Sequence, residues 1–240
     1  MLLMLPGFAF WLIILLAVLP AVLLMRFVYK QDTLEKEPVS LLVKLILMGV
    51  LAGFLSMILE TIGQMILDAS PLDPETPVYT IVTAFLVVAV VEEGMKYLLM
   101  HLVVWKNPNF DYRFDGIVYA VFASLGFAAM ENIMYVFGFG LSVIVSRALL
   151  AIPAHMSFSV VFGTFYGRAR MYANRGWKGL SFLNILVGYL AAVFFHGFYD
   201  SCAMIGSSTS MILFAAFMVI IYLVIFAVVR SESRTDQRIR

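Results

Sequence analysis

Two adjacent glutamates and a lysine, Glu92, Glu93 and Lys96, lie inside an apolar run that covers residues 78–104. The run is long enough to cross a bilayer as a helix, and a charge at the bilayer centre costs about 2.5–3.5 kcal/mol on insertion scales. On a helix, Lys96 follows one glutamate by three residues and the other by four, so it can neutralise one carboxylate. The other carboxylate is left without a partner on this helix. This excess of negative charge predicts a functional site.

A second acidic position, Glu131, lies in the fourth apolar run and is followed directly by Asn132. Packing explains such a pair poorly, because ionisable side chains within membrane spans usually face the bundle interior and mark function. Gly126, Ala128 and Ala129 precede the pair, and small residues let a neighbouring helix approach closely. We therefore expect Glu131 and Asn132 to contribute to the same site.

The fifth run carries Arg147 near one end and His155 near its middle, with Pro153 between them. Proline frees a backbone carbonyl and can kink a helix, which would change the direction in which His155 points. Arg147 could pair with Glu131 or with Asp200, or it could bind a substrate carbonyl. The fifth run therefore predicts one histidine and one basic group of the site.

The sixth run contains His196 and Asp200, four residues apart. This spacing places both side chains on one face of a helix, where a carboxylate can orient an imidazole or share a metal or water site with it. Gly197 leaves room beside the histidine. We expect Asp200 to orient His196.

Composition and hydropathy indicate the elements that position these residues. The 240 residues are 63% hydrophobic and 13% charged, and the mean hydropathy is +0.99, whereas soluble domains carry about 25% charged residues. We therefore predict an all-α, polytopic helical bundle of about seven membrane spans, in a single domain of residues 1–240 with the motifs in residues 85–200. The expected spans are residues 2–27, 39–67, 78–104, 116–137, 141–167, 180–204 and 211–229.

The basic residues predict the orientation of the bundle. Of the sixteen lysines and arginines, only Lys96 and Arg147 lie away from the span ends; the others lie at or beside the first, third and fifth connections and in the tail, with Arg26 and Lys44 at the span ends that flank the first connection. By the positive-inside rule, the N-terminus lies outside and the C-terminus in the cytoplasm. The single cysteine, Cys202, excludes an internal disulfide or a CxxC site, and no run of charge suggests nucleic acid.

The expected topology brings the ionisable residues to similar depth. The third span runs inward and the fourth outward, so Glu92, Glu131, His155 and His196 fall between mid-membrane and the outer face, with Asp200 about one turn further out. One water-filled cavity shared by these residues explains their similar depth better than a separate cause for each residue. In contrast, Glu60 and Gln64 near the end of the second span, and His101 near the end of the third, are expected at wetted helix ends.

The residue types in this cavity suit hydrolysis. Catalytic zinc takes three protein ligands and a water molecule, and a free glutamate beside it can accept the proton of that water. The same groups could hydrolyse a peptide bond without metal, if a glutamate and a histidine together activate the water. The sequence contains no HExxH motif and no evident Ser or Cys nucleophile arrangement.

Taken in order, the motifs resemble those of the PrsW family of intramembrane metalloproteases. The matching residues are Glu92-Glu93-x-x-Lys96, Phe127-x-x-x-Glu131-Asn132, His155 and His196-x-x-x-Asp200. The type II CAAX prenyl endopeptidases are similar, but their motifs have histidine where this chain has Glu131 and asparagine where it has Asp200. These departures favour PrsW and leave metal use open.

The resemblance implies a site-1 type protease of the cell membrane that clips an extracytoplasmic part of a single-span substrate, an anti-sigma factor, in a stress response. It also matches Glu92 and Glu93 to the catalytic glutamate pair, whose separate roles the sequence does not distinguish. We take Glu93 as the base, Lys96 as the partner of Glu92, and Arg147 as a substrate-binding residue. The expected ligands of one divalent metal, zinc being the expected ion, are Glu93, Glu131, His155 and His196.

Other functions stay open at this point. A CAAX-type prenyl-protein endopeptidase would need access from the cytoplasm, whereas the expected cavity opens toward the outer half. A proton- or cation-coupled transporter could use the carboxylates and histidines as a relay, although the sequence shows no internal repeat. A retinal protein would need a Schiff-base lysine in the last span, and no lysine follows Lys178.

Overall fold

The computed structural model describes residues 7–239 and consists of seven long helices with short connections. Within this range there is no strand, and an isolated bridge pairs Tyr112 with Arg238. All seven helices are long and apolar enough to span a membrane, which confirms the predicted all-α, multi-pass architecture. The helices are α1 (Gly7–Gln31), α2 (Val39–Asp68), α3 (Pro77–Val104), α4 (Asp115–Phe139), α5 (Val143–Asn174), α6 (Lys178–Ile205) and α7 (Ser208–Arg234).

The helices extend beyond several of the predicted apolar runs. The largest difference is in α5, which continues to Asn174 rather than ending near residue 167. Backbone hydrogen bonding continues there through a polar turn that hydropathy alone cannot assign to the helix. The start of the first predicted span (residues 2–6) and Arg240 of the basic tail lie outside the described residues.

Helix α4 forms the centre of the bundle. Every residue from 115 to 130 is buried, and α4 packs against α1, α2 and α5. By contrast, α1, α6 and α7 expose many large apolar side chains, as expected for helices that face lipid tails. Motif residues on α4 are therefore enclosed by other helices.

The close contact between α2 and α4 depends on glycine, as the small residues near Glu131 predicted. A Cβ atom added to Gly126 would lie 2.4 Å from the backbone oxygen of Ile46 on α2. Because that obstacle is backbone, no side-chain rotation could relieve it. A Cβ on Gly49 of α2 would lie even closer, 1.9 Å from the backbone oxygen of Ala123, so glycines on both helices allow this separation.

Two helices change their winding just before motif residues. Thr83–Ala89 of α3 and Arg147–Ala151 of α5 are π-helical, a form that is rare and frequent at functional sites. The second segment lies directly before Pro153, where the sequence predicted a disturbance. The first contains neither proline nor glycine, so composition gave no sign of it.

The tail after α7 docks against the connection between α3 and α4. Arg238 Nη2 lies 3.0 Å from Asp111 Oδ2, and Ile239 N donates to Asp111 O at 2.7 Å. On α4's side of the connection, Arg113 Nη2 lies 3.0 Å from Glu232 Oε2. These contacts hold the C-terminal segment to the end of the bundle that carries the basic connections.

Beside this tail, Asp32 and Glu37 are buried next to Asp115 of α4. Burial raises the pKa of Asp32 to about 6 and the pKa of Glu37 to about 7. Glu37 Oε2, Asp32 Oδ2 and Asp115 Oδ1 have no hydrogen-bond partner. The other charged and titratable groups that act on this pair are Glu35, Lys36, Asp111, Tyr119 and Asp236.

We expect this pair to make the protein less stable in mild alkali than in mild acid. Both carboxyl groups bind protons more tightly in the folded chain than in the unfolded chain, so the free energy of unfolding falls as pH rises from about 4 to about 7. The melting temperature in detergent should be several degrees lower at pH 8 than at pH 5. The double variant Asp32→Asn, Glu37→Gln should show a smaller difference, whereas exposed Glu35→Gln should retain it. An unchanged pH dependence in the double variant would contradict the assignment.

We also expect Gly126→Ala to destabilise the fold, because the added Cβ meets the backbone of α2. Overpacking of this kind typically costs about 1–3 kcal/mol, against about 1 kcal/mol gained when alanine replaces glycine within a helix. Gly138→Ala on the same helix is the matched control, since no atom lies within 4 Å of its added Cβ. Thermal unfolding in detergent should show a lower midpoint for Gly126→Ala and an unchanged or higher one for Gly138→Ala. Equal midpoints would refute the packing argument.

Candidate active site

Helices α2 to α6 enclose a cavity of about 540 Å³, which we call the central cavity. Its lining comes from the halves of these helices nearest the second, fourth and sixth connections. The acidic and imidazole groups that the sequence singled out meet here, as predicted from their depth. The acidic, basic and imidazole-bearing residues in the lining are Glu60, Glu92, Glu131, Arg147, His155, His196 and Asp200.

A buried ion pair lies behind this lining. Lys96 Nζ donates to Glu93 Oε1 at 2.5 Å, and neither side chain is accessible to solvent. Lys96 Nζ is also 3.5 Å from Glu92 Oε2 and 3.3 Å from His155 Nδ1. Lys96 therefore contacts both glutamates, but its shorter contact is to Glu93 rather than to its expected partner Glu92.

His196 lies between three carboxylates. Its Nδ1 is 2.8 Å from Glu93 Oε1, and its Nε2 is 3.2 Å from Asp200 Oδ2 and 3.8 Å from Glu92 Oε2. Asp200 thus lies where it can orient the imidazole, as the spacing predicted. A neutral imidazole has only one N–H to donate. A proton or a cation must therefore complete this arrangement.

Glu131 and Asn132 bind Arg147. Arg147 Nη2 lies 2.7 Å from Glu131 Oε2, and Arg147 Nε donates to Asn132 Oδ1 at 3.0 Å. The same oxygen of Glu131 is 3.1 Å from His155 Nε2. Asn132 also donates to the backbone oxygen of Ala17 at 2.6 Å, which ties α4 to α1. Of the partners open to Arg147 in the sequence, the structure selects Glu131.

Four of these residues could hold a metal ion. Glu92, Glu93, His155 and His196 each offer a ligand atom, and these atoms all lie within 4.8 Å of one another; we call them the ligand group. The Oε2 atoms of Glu92 and Glu93 are buried and have no hydrogen-bond partner. Unpaired buried carboxylate oxygens beside imidazole nitrogens are a donor set that suits a divalent metal.

Glu131, expected among the metal ligands, is outside the ligand group, and Glu92 is inside it. Glu131 Oε2 instead contacts both Arg147 and His155. The two adjacent glutamates also differ in position, because Glu92 lines the central cavity whereas Glu93 is fully buried behind it. The sequence could not make this distinction.

The π-helical segment of α3 packs directly beside His196. A Cβ atom added to Gly197 would lie 2.5 Å from Phe85 Cδ1, so the missing side chain lets the Phe85 ring fit against α6. The room that the sequence predicted beside the histidine is therefore filled by this ring. This packing joins α3, which carries the glutamates, to the helix that carries His196.

His101 and Glu60 are both expected at wetted helix ends, but the structure places them in different surroundings. His101 is half-buried away from the central cavity, where its Nδ1 is 3.0 Å from the hydroxyl oxygen of Tyr166. Glu60, expected at a wetted helix end, instead lines the central cavity. A signal existed, because an ionisable residue within a span is by default a functional candidate, but no motif contained it.

Comparison with known proteins identifies the family of this chain. Residues 37–229 match the model of the PrsW family intramembrane metalloprotease. Protease PrsW from Geobacillus kaustophilus is 34% identical over 76% of each chain. Protease PrsW from Clostridioides difficile is 30% identical over 87% of this chain and 86% of its own, and that from Bacillus subtilis is 30% identical over 75% and 78%. No solved structure gives a significant match.

The family match extends over six of the seven helices and includes every residue of the ligand group. The relatives align over three quarters or more of both chains, so the likeness is not confined to short motifs. The chain belongs to the PrsW family of intramembrane metalloproteases.

Proposed function

We propose that this protease cleaves a membrane-anchored, single-span protein in its extracytoplasmic or membrane-proximal part. The observation that carries the proposal is the ligand group, four buried side chains that could hold a metal, beside a cavity within the membrane-spanning helices. An anti-sigma factor is the substrate type that we favour, with this cleavage as the first step of regulated proteolysis in a stress response.

The position of the cavity supports cleavage on the outer side. Apart from Lys96 and Arg147, the basic residues lie at or beside the first, third and fifth connections and in the tail, which favours a cytoplasmic location for that end of the bundle. The cavity lining includes Met134, Arg147 and Met204, near the opposite ends of their helices. A CAAX-type endopeptidase would need a cavity that is accessible from the cytoplasm.

We assign His155, His196 and Glu93 as the residues that would hold one divalent metal, with Glu92 close enough to share it. Zinc suits imidazole and carboxylate ligands. When bound, such an ion polarises the peptide carbonyl and lowers the pKa of water. Glu131 then orients His155 through the contact to its Nε2 and keeps Arg147 in place, a different role from the one expected of it.

In this proposal Glu92 is the general base. It lines the cavity, and its Oε2 has no hydrogen-bond partner, whereas Glu93 Oε1 is engaged by Lys96 and His196. Glu92 accepts a proton as the water oxygen attacks the carbonyl carbon. The same carboxyl returns the proton to the amine as the C–N bond breaks.

Three residues support this reaction without exchanging protons. Lys96 compensates the charge of Glu93, and Asp200 fixes the ring of His196. Arg147 uses Nε and one Nη nitrogen for Asn132 and Glu131, and its guanidinium carries five N–H donors. Donors therefore remain for a substrate carbonyl in the cavity.

Replacing the proposed base should stop cleavage without unfolding the chain. We expect Glu92→Gln to lower the cleavage rate of a co-expressed single-span substrate by about 100-fold or more, the usual range for a lost general base. Glu93→Ala and His196→Ala should also abolish cleavage. Protein accumulation and thermal unfolding are measured in parallel.

His101→Ala is the matched histidine control and should cleave normally, because this side chain lies outside the cavity. Full activity in Glu92→Gln with loss only in Glu93→Gln would exchange the roles of the two glutamates. Full activity in all the glutamate and His196 variants would refute the assignment of a peptidase to this site.

The purified protein should contain about one zinc ion per chain, measured by elemental analysis. His155→Ala and His196→Ala should lose the ion because each removes an imidazole ligand. Glu92→Gln should retain most of it while remaining inactive, and a chelator should remove both zinc and activity. Active protein without any metal would instead support water activation by glutamate and histidine alone.

A further inference from the structure

Glu60 on α2 is an acidic residue of the central cavity that the proposed reaction does not use. Its carboxyl lines the cavity together with Glu92 and Glu131. Its Oε1 atom is buried and has no hydrogen-bond partner. A buried polar atom left unpaired is unfavourable, so a ligand that donates a hydrogen bond to Glu60 would remove this cost.

The charges of the site leave Glu60 as the unmatched acid. Five carboxylates lie in or directly behind the cavity, but among the described residues there the permanent cations are Lys96 and Arg147. These two cations are close to Glu93 and Glu131. Of the remaining acids, Asp200 contacts His196 and Glu92 belongs to the ligand group. Glu60 is the acid of this set that has neither an ion-pair partner nor a hydrogen-bond partner for Oε1 among the described residues.

Glu60 also lies where the cavity meets a second depression. Met57, Glu60 and Val88 line both the central cavity and a groove of about 490 Å³ between α2 and the π-helical segment of α3. We call this second depression the lateral groove. Its lining continues along α2 through Thr61, Gln64 and Asp68, toward the second connection.

The polar groups at the far end of the groove already have partners. Gln64 Nε2 donates to Asp68 Oδ1 at 2.7 Å and lies 2.5 Å from the hydroxyl oxygen of Tyr79. At the end nearest the cavity, Glu60 has no such partner for Oε1. The acceptor atom without a hydrogen-bond donor, Glu60 Oε1, therefore lies at the junction of groove and cavity, next to the proposed catalytic residues.

We propose that the lateral groove admits an extended segment of the substrate polypeptide, and that Glu60 selects a lysine or arginine at one fixed position near the scissile bond. Two observations identify this occupant: the groove is continuous with the catalytic cavity, and the carboxylate at the junction matches a basic side chain. The inference rests on the proposed peptidase function. It adds a specificity-determining residue that the motifs do not contain.

The charge preference can be measured with single-span reporter proteins. Each reporter has an uncharged juxtamembrane segment that contains one test residue, Lys, Gln or Glu. In successive reporters this residue occupies successive positions on either side of the cleavage site. In nanodiscs, the wild type should show at least a tenfold higher kcat/KM for Lys than for Glu at one position. Glu60→Gln should remove this preference, and Glu60→Lys should invert it. Glu75→Gln is the matched control and should keep the wild-type preference, because Glu75 is an exposed acid of the second connection.

The reporters separate this inference from the function on which it rests. Cleavage that requires Glu92 but is indifferent to charge at every position would overturn the role of Glu60 alone. No cleavage of any reporter by wild type, or cleavage that survives Glu92→Gln, would overturn the peptidase proposal itself. A Glu60→Gln variant that slows all reporters equally would also contradict charge selection.

The route is tested by filling the groove. Thr61→Phe should raise KM for the reporters several-fold while metal content and thermal stability stay unchanged, because the bulk lies in the groove and away from the ligand group. Ile62→Phe is the matched control, since the neighbouring side chain is exposed on the surface of α2 and does not line the groove. Unchanged KM in Thr61→Phe would refute entry through the lateral groove.

Discussion

The site depends on the buried contact between Lys96 and Glu93. Removing two charges from water costs several kcal/mol per ion even after the protein relaxes. The structure offsets this cost with further contacts: Glu93 Oε1 also faces His196 Nδ1, and Lys96 Nζ faces Glu92 and His155. Because each group compensates the charge of another, loss of one member leaves an unpaired charge in the interior, and the cluster behaves as a unit.

The helices hold this cluster by close backbone packing. Helix α4 is buried along its first sixteen residues and approaches α2 at Gly126 and α5 at Gly116, where an added Cβ would meet the backbone of Gly163 and Gly167. The π-helical segments of α3 and α5 each precede a member of the ligand group, and an extra residue in a turn changes the direction of the side chains that follow. Rigid packing of this kind suits a site whose ligand atoms must stay within a few ångströms of one another.

Much of this arrangement could be predicted from particular residues. Long apolar runs gave the seven helices, and the similar depth of Glu92, Glu131, His155 and His196 gave their convergence. The π-helical segment at residues 83–89 could not be predicted, since it contains neither proline nor glycine; in the structure it packs against α6. The end of α2 is predicted to within one residue, so the different position of Glu60 does not come from the helix boundary; the packing of α2 against α3 and α4 decides that this side chain faces the cavity.

The sequence alone determined which chemical groups are available, since residue type and helical spacing show that carboxylates, imidazoles and a lysine must share the membrane interior. It also determined the fold class, because each apolar run can satisfy its backbone hydrogen bonds in lipid only as a helix. The tertiary structure decided which of two adjacent glutamates faces the central cavity and whether Glu131 or Glu92 joins the ligand group. Neighbouring residues on a helix point about 100° apart, so these roles depend on how each helix is rotated against the others, which packing determines.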